Sequence, residues 1–198
     1  SPFGQHLFIG GNTYILKMLW AFGEEFDVTA SGEHFSQKVE QSLAQLQERT
    51  AAVAMEEADR TGATLAFAVV VRSRTGHKFP TGYPSRRAWL HVTVRDAGGE
   101  VIFESGAPES RGAVLGNDNA ADPTAYEPHY EEISLPDQVQ IYEALLEDVS
   151  GEVTTALLRA TGYRKDNRLL PSGFDKASAG EDFAVHGGAA DDDDFIGG

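Results

Sequence analysis

Nine consecutive residues, Gly76-His77-Lys78-Phe79-Pro80-Thr81-Gly82-Tyr83-Pro84, surround one imidazole with two glycines and two prolines. That composition forces an ordered, tightly turned loop. A His on rigid backbone suits metal or haem-iron ligation, because the ring direction is fixed before the metal arrives. The alternative is that His77 bonds a neighbouring carbonyl and only pins the loop. His6, next to Leu7-Phe8-Ile9, is the second candidate. It could be an axial ligand offered to a neighbouring haem domain, or a terminal His without a role. Asn117, Asp118, Asn119 and Asp122 place several oxygens in one loop, Gly116–Pro123. They could hold Ca2+, which takes six to eight oxygen ligands at about 2.3–2.6 Å, or cap their own backbone. His129, between Pro128 and Tyr130, is a further metal candidate or a packing residue. His34, His91 and His186 suggest no role from their surroundings.

Tyr163-Arg164-Lys165-Asp166-Asn167-Arg168-Leu169-Leu170-Pro171 is a cationic knot in an acidic chain. With Arg86 and Arg87 it could recognise an anionic group such as a haem propionate, or pair with internal carboxylates. The abundance of acids favours internal pairing. Other chemistries are excluded by composition. The chain has no cysteine. Disulfides, thiolate nucleophiles, Cys-ligated zinc, Fe–S clusters and a C-x-x-C-H haem attachment are therefore ruled out. There is no G-x-S-x-G elbow, no H-E-x-x-H helix and no phosphate-binding G-x-x-x-x-G-K-[ST] loop. Asp191–Asp194 fails as an EF-hand loop because Phe195 stands at the fifth position. No self-contained active site can be named, although His77 and His129 would be the centre of a metal-dependent enzyme if there were one.

These side chains must be carried by 198 residues, enough for one domain or a domain with a helical attachment. Apolar residues make up 41% of the chain and aromatics 10%, which implies a packed protein. The 16 Lys and Arg against 31 Asp and Glu give a net charge of −15, and only five of the cations are Lys. That sign argues against nucleic acid as a partner. No apolar run is long enough to cross a bilayer. Neither terminus resembles a natural one, so the chain reads as a mature or trimmed segment of a longer polypeptide.

From Asn12 to Phe22 the pattern predicts a helix capped by Asn12. Tyr14, Ile15, Leu16, Met18, Leu19, Trp20 and Phe22 leave it almost no polar face, and Lys17 is its only charge. A helix that is apolar all round must be covered on all sides, so part of its cover is expected from protein outside this chain. A second helix is expected from Gly32 to Thr61, with a stripe of Phe35, Val39, Leu43, Leu46, Thr50 and Val53 and with Gly62 as its stop. A break near Thr50 is the alternative. Beyond Gly62 the period changes to two, with strands expected at 63–73, 89–96, 101–105, 131–135, 139–146, 153–160 and 183–186. The fold class is α+β, an N-terminal helical segment followed by an antiparallel β-sandwich. Its expected parts are residues 1–62, 63–180 and a solvated acidic tail, 181–198.

Several blocks occur in an order that resembles the C-terminal region of bacterial multihaem c-type cytochromes. They are Gly76–Gly82, Pro84–Val92, Phe103-Glu104-Ser105-Gly106, Val139-Gln140-Ile141-Tyr142-Glu143 and Lys165–Pro171, with His6-Leu7-Phe8 and Gly10-Gly11-Asn12 before them. The resemblance implies a periplasmic or extracellular electron-transfer component, free of haem attachment motifs, that caps a haem-bearing domain or subunit. Haem c would then be held by that upstream segment or partner chain, with His6 or His77 at most donating an axial ligand. Assembly into an oligomer is left open by the sequence. The rival reading is an extracellular binding module for Ca2+ or carbohydrate.

Overall fold

In the computed structural model, which describes residues 9–197, the first helix, α1 (Thr13–Ala21), begins at its expected cap. Asn12 Oδ1 accepts from Ile15 N at 3.0 Å, satisfying one of the donors orphaned at a helix start. None of its nine residues is buried, and Tyr14, Trp20 and Phe22 are 74%, 54% and 49% exposed. The Trp20 indole lies against Gly32, where an added Cβ would come within 2.8 Å of Nε1. The second helix, α2 (Gly32–Arg49), is capped by Ser31 and buries Phe35 and Ser42.

Residues 50–61 correct the expected long helix. Thr50 closes α2 by donating its hydroxyl to the Gln45 carbonyl at 2.9 Å. The chain then enters β1 (Ala51–Thr61), which pairs antiparallel with β2 (Thr64–Ser73). Gly62, at φ +63°, turns the hairpin rather than stopping a helix. The Ala- and Glu-rich stretch has good helix propensity, but propensity differs by only tenths of a kcal/mol per residue. Pairing such as Val53 with Val71 and Met55 with Val69 overrides it.

Two compact units result, Ser1–Thr75 and Gly76–Gly198, so the division falls after β2 and not at residue 62. In the second unit the single strand expected at 89–96 becomes β3 (Arg87–Trp89) and β4 (Val92–Arg95). Leu90 still donates to the Gln140 carbonyl at 3.0 Å, whereas Val92 already pairs with Ser105 of β5 (Val101–Ser105). One segment thus serves two sheets. The central strand is β6 (Ile141–Asp148), which pairs with β3 through its first half and with β7 (Val153–Thr154) and β8 (Ala160–Asp166) through its second.

All strand pairs are antiparallel, and the ladders form sheets of two, four and two strands. They do not by themselves make the two facing sheets of a sandwich. Residues 131–135 are not a strand, because Gln138 Oε1 binds the Ser134 and Leu135 amides in a local turn. Of 153–160 only Val153, Thr154 and Ala160, the first residue of β8, are in strands, and His186 contributes one bridge, to Asp166.

The acidic tail is also corrected. Val185, Ala189 and Phe195 are buried, and Lys176 Nζ donates to the carbonyls of Ala189, Ala190 and Asp192. Asp191, Asp193 and Asp194 are exposed, Asp192 turns inward to His129 Nε2 at 2.9 Å, and Val185, Ala189 and Phe195 close over the unit. The apolar core is small, centred on Val114, Val139 and Ile141, and the buried set includes Glu127, Gln140, Glu143, Lys165, Asp166 and Asn167.

Candidate functional site

Four consecutive residues at the end of β8 organise the second unit. Strand geometry sends Lys165 and Asn167 to one side and Asp166 to the other. Lys165 Nζ, 1% exposed as a residue, donates to the carbonyls of Glu127 (2.7 Å) and Ile141 (2.9 Å) and to Glu143 Oε1 (3.1 Å). Burial pushes its ammonium below the ordinary lysine range, with Glu143 opposing the shift. Asn167 Oδ1 accepts from Glu143 N (2.9 Å), and its Nδ2 donates to the Ile141 carbonyl (2.8 Å) and to His129 Nδ1 (3.1 Å).

On the opposite side Asp166 receives Arg168 through Nε at 2.7 Å and a terminal nitrogen at 2.8 Å, and Lys78 Nζ at 2.7 Å. Burial alone would raise this carboxyl. The hydrogen bonds from Arg168 and Lys78 outweigh burial and hold it below the usual carboxylate range. Lys78 also donates to the Ala184 carbonyl (2.9 Å) and stands 5.5 Å from the centre of the Phe174 ring. The cationic knot therefore pairs internally.

Lys78 is where this network meets the His77 loop. Phe79 and Leu169 exchange two backbone hydrogen bonds, at 2.9 and 2.8 Å, and Arg86 donates to the Thr81 carbonyl at 3.0 Å. The Phe79–Pro80 peptide is cis. The glycine- and proline-rich block and the Lys165–Pro171 block, 88 positions apart at Lys78 and Asp166, are thus one structural element. His77 is exposed at the head of that anchored loop, with Nδ1 3.0 Å from the Lys78 carbonyl. Nδ1–H donating to a backbone carbonyl fixes the tautomer and ring direction in the way metal-bound imidazoles are commonly fixed. With no cysteine, the chain has no thiolate with which to attach a haem covalently.

The other candidates are not brought together. Both nitrogens of His129 are engaged: Nε2 lies 2.9 Å from Asp192 Oδ2, while Nδ1 faces the amide nitrogens of Gln140 and Asn167, each at 3.1 Å. Two N–H donors on Nδ1 require the neutral Nε2–H tautomer, so its lone pair is occupied within the protein. Burial lowers the His129 pKa in the same direction, with Asp192 opposing. His129 packs edge-on against Phe195, with ring centres 5.0 Å apart. Asp122 Oδ1 caps Thr124 through its amide (2.9 Å) and hydroxyl (2.8 Å). Asn117 caps Asn119, and Asp118 lies in a short 3-10 turn whose amide donates to Glu127 Oε1 at 2.8 Å. Among the described residues no three His, Asp or Glu side chains converge in an arrangement that could hold a metal ion. His6 lies outside the described residues.

Glu127 escaped the sequence reading. Its Oε1 takes the Asp118 amide, and its Oε2 takes the Tyr130 hydroxyl (2.8 Å) and the Val139 amide (3.3 Å). The only signal was a charged residue before Pro128 in a segment of no period. No family model, curated protein or solved structure matches the chain.

Proposed function

We propose that this chain is the haem-motif-free module of a multihaem c-type cytochrome of the periplasm or cell exterior. It acts in electron transfer as a cap on a haem-bearing domain or partner subunit. The observation that carries the proposal is α1, an apolar helix that leaves Tyr14, Trp20 and Phe22 in solvent. Covering these side chains is where a partner of α1 would gain most from apolar burial. The ordered sequence blocks point to a haem body as that partner, and two of those blocks form the anchored loop that presents His77.

In this role α1 excludes water from the surface it covers, which lowers the local dielectric and tunes the potential of the covered group. The net charge of −15 favours the oxidised, more positive form of a nearby centre and steers cationic partners towards the assembly. Haem c, bound by the partner, supplies the electron-carrying iron. This chain contributes cover, charge and the oriented imidazole of His77, with Lys78 and Asp166 fixing the loop.

The test is the mass and visible absorption of the native assembly containing this polypeptide. A Soret band that copurifies with it, and a low-spin spectrum altered by His77→Ala, are the expected results. An unaltered spectrum in that variant removes His77 as a ligand, and a colourless native assembly overturns the proposal.

A further inference from the structure

The β1–β2 hairpin is long and alone. Its strands have 11 and 10 residues, and among the described residues no other strand pairs with either. A two-stranded hairpin is marginally stable by itself, and an open strand edge is a template for another strand. The two outer edges differ. β1 carries Glu56, Asp59 and Arg60, whereas β2 has no charge, proline or glycine from Thr64 to Val71. Natural edges of this length are ordinarily blunted by Lys, Pro or a bulge. The β1–β2 bulge interrupts β1, between Glu56 and Asp59, and leaves the β2 run from Thr64 to Ser73 continuous.

We infer that the outer edge of β2 pairs antiparallel with β2 of a second copy of this chain, about a two-fold axis at Ala68. The sequence of the edge selects the occupant. Pairing about Ala68 sets Leu65 opposite Val71 and Phe67 opposite Val69, and brings Arg72 against Thr64, so no like charges meet. Self-pairing of β1 about Glu56 would oppose two glutamates, which is destabilising. An isologous contact needs a self-complementary patch, and the β2 edge offers an unbroken one, whereas the bulge between Glu56 and Asp59 interrupts β1. The register preserves the faces. Val53 and Met55, partners of Val71 and Val69, extend the same apolar face on which Phe67 lies. Four strands with one apolar face then replace two marginal strands, in the order β1–β2–β2–β1. This inference does not depend on the haem reading, which is decided by colour and not by self-association.

The absence of cysteine makes the test clean. Ala68→Cys introduces a single thiol per chain at the proposed axis. Opposed residues in an antiparallel pair have Cα atoms about 4.5–5.5 Å apart, inside the roughly 4.4–6.8 Å range that a disulfide spans. Under mild oxidation the full-length A68C chain should form a covalent dimer at least about tenfold faster than V53C, because a paired position has an effective concentration far above the bulk. A66C mixed with V70C should cross-link as a heterodimer, and neither alone should. Val69→Lys should weaken association of the unmodified chain by about tenfold in sedimentation, with its circular dichroism unchanged. Equal cross-linking of A68C and V53C, a sedimentation mass that stays at 21.4 kDa at all concentrations, or pairing of β2 with another protein's strand would each overturn the inference.

Discussion

Asp166→Asn isolates the contact that joins the His77 loop to the end of β8. The side chain keeps its volume and loses its charge, leaving Lys78 beside a neutral amide with only 10% of its side chain exposed. Arg168, also a partner of Asp166, is more exposed and regains hydration. Removing one member of a buried ion pair costs about 3–5 kcal/mol, chiefly through the charge left behind. A domain is stable by about 5–15 kcal/mol, so the second unit should lose a large fraction of its stability. With a urea dependence of about 1–3 kcal/mol per molar, the midpoint should fall by about 1–5 M.

The two tryptophans, Trp20 and Trp89, lie in different units. In a Trp20→Phe background, fluorescence of Trp89 therefore reports the second unit. The loss should also depend on pH in a definite direction. Without Asp166, burial depresses the folded-state pKa of Lys78 further below its unfolded value. Stability is then greatest above the unfolded lysine pKa of about 10.4 and is lost as pH falls through the depressed one. The Asp166→Asn deficit should accordingly shrink from pH 7 towards pH 10. Adding Lys78→Met should restore much of the lost stability, since the stranded charge is gone. A midpoint shift below about 0.5 M, or a double variant no more stable than Asp166→Asn, refutes the assignment of this pair as the loop's anchor.

Three other outcomes are expected. Protonating His129 would turn Nδ1–H towards the Gln140 and Asn167 amides, so the closing segment should loosen as pH falls below 6.5, because the folded pKa lies under that value. Lower amide-exchange protection factors at Ala190, Asp191 and Phe195 below that pH, an effect absent in His129→Phe, check this, and protection that does not change with pH contradicts it. Gly106 adopts φ +74° with its Cβ direction blocked by the Leu90 carbonyl, and its own carbonyl receives Trp89 Nε1 at 3.0 Å. Gly106→Ala should cost at least about 1–3 kcal/mol in thermal unfolding, with a shifted Trp89 emission. The Tyr14→Ser, Phe22→Ser double variant should change unit stability by no more than about 0.5 kcal/mol per site while reducing dye binding and association with the proposed haem-bearing partner. Cooperative unfolding at markedly lower urea would show instead that α1 is core.

How far the sequence disclosed this arrangement depends on whether a segment's signal is local. The Asn12 cap and the apolar run after it are local, and α1 starts where they place it. The 51–61 stretch reads as helix because its alanines and glutamates favour one, and only the partner strand beginning three residues later reverses the preference. The cationic knot announced internal pairing by charge balance, but not which carboxylates would pair. Glu127, Gln140 and Asn167 sit in or beside loops with no period, and their role appears only when β6 and β8 bring them around Lys165. At His129 residue type was the only cue, and it left a metal ligand and a packing residue equally open. Two amide donors on its Nδ1, one of them 38 positions away, are what make it structural.

The same contrast bears on function. Among the described residues no buried side-chain nitrogen or oxygen lacks a hydrogen-bond partner. In the second unit even the buried Lys165 has three acceptors, although Val149, Leu158 and Phe183 are exposed there. Unit one also leaves apolar side chains in solvent. Its helix α1 buries no residue, and Val53, Met55 and Leu65 of the hairpin are exposed. Apolar surface of that kind gains roughly 25 cal/mol for each Å2 removed from water, and inside this unit it gains little of that. A partner that covers α1, as proposed, would bury that surface, whereas a partner at the His77 loop would meet a loop already tied to the end of β8 through Lys78 and Asp166. In the proposed cap, docking through the first unit and presentation of the His77 imidazole by the second are therefore separable, and variants at α1 and at Asp166 should impair different steps.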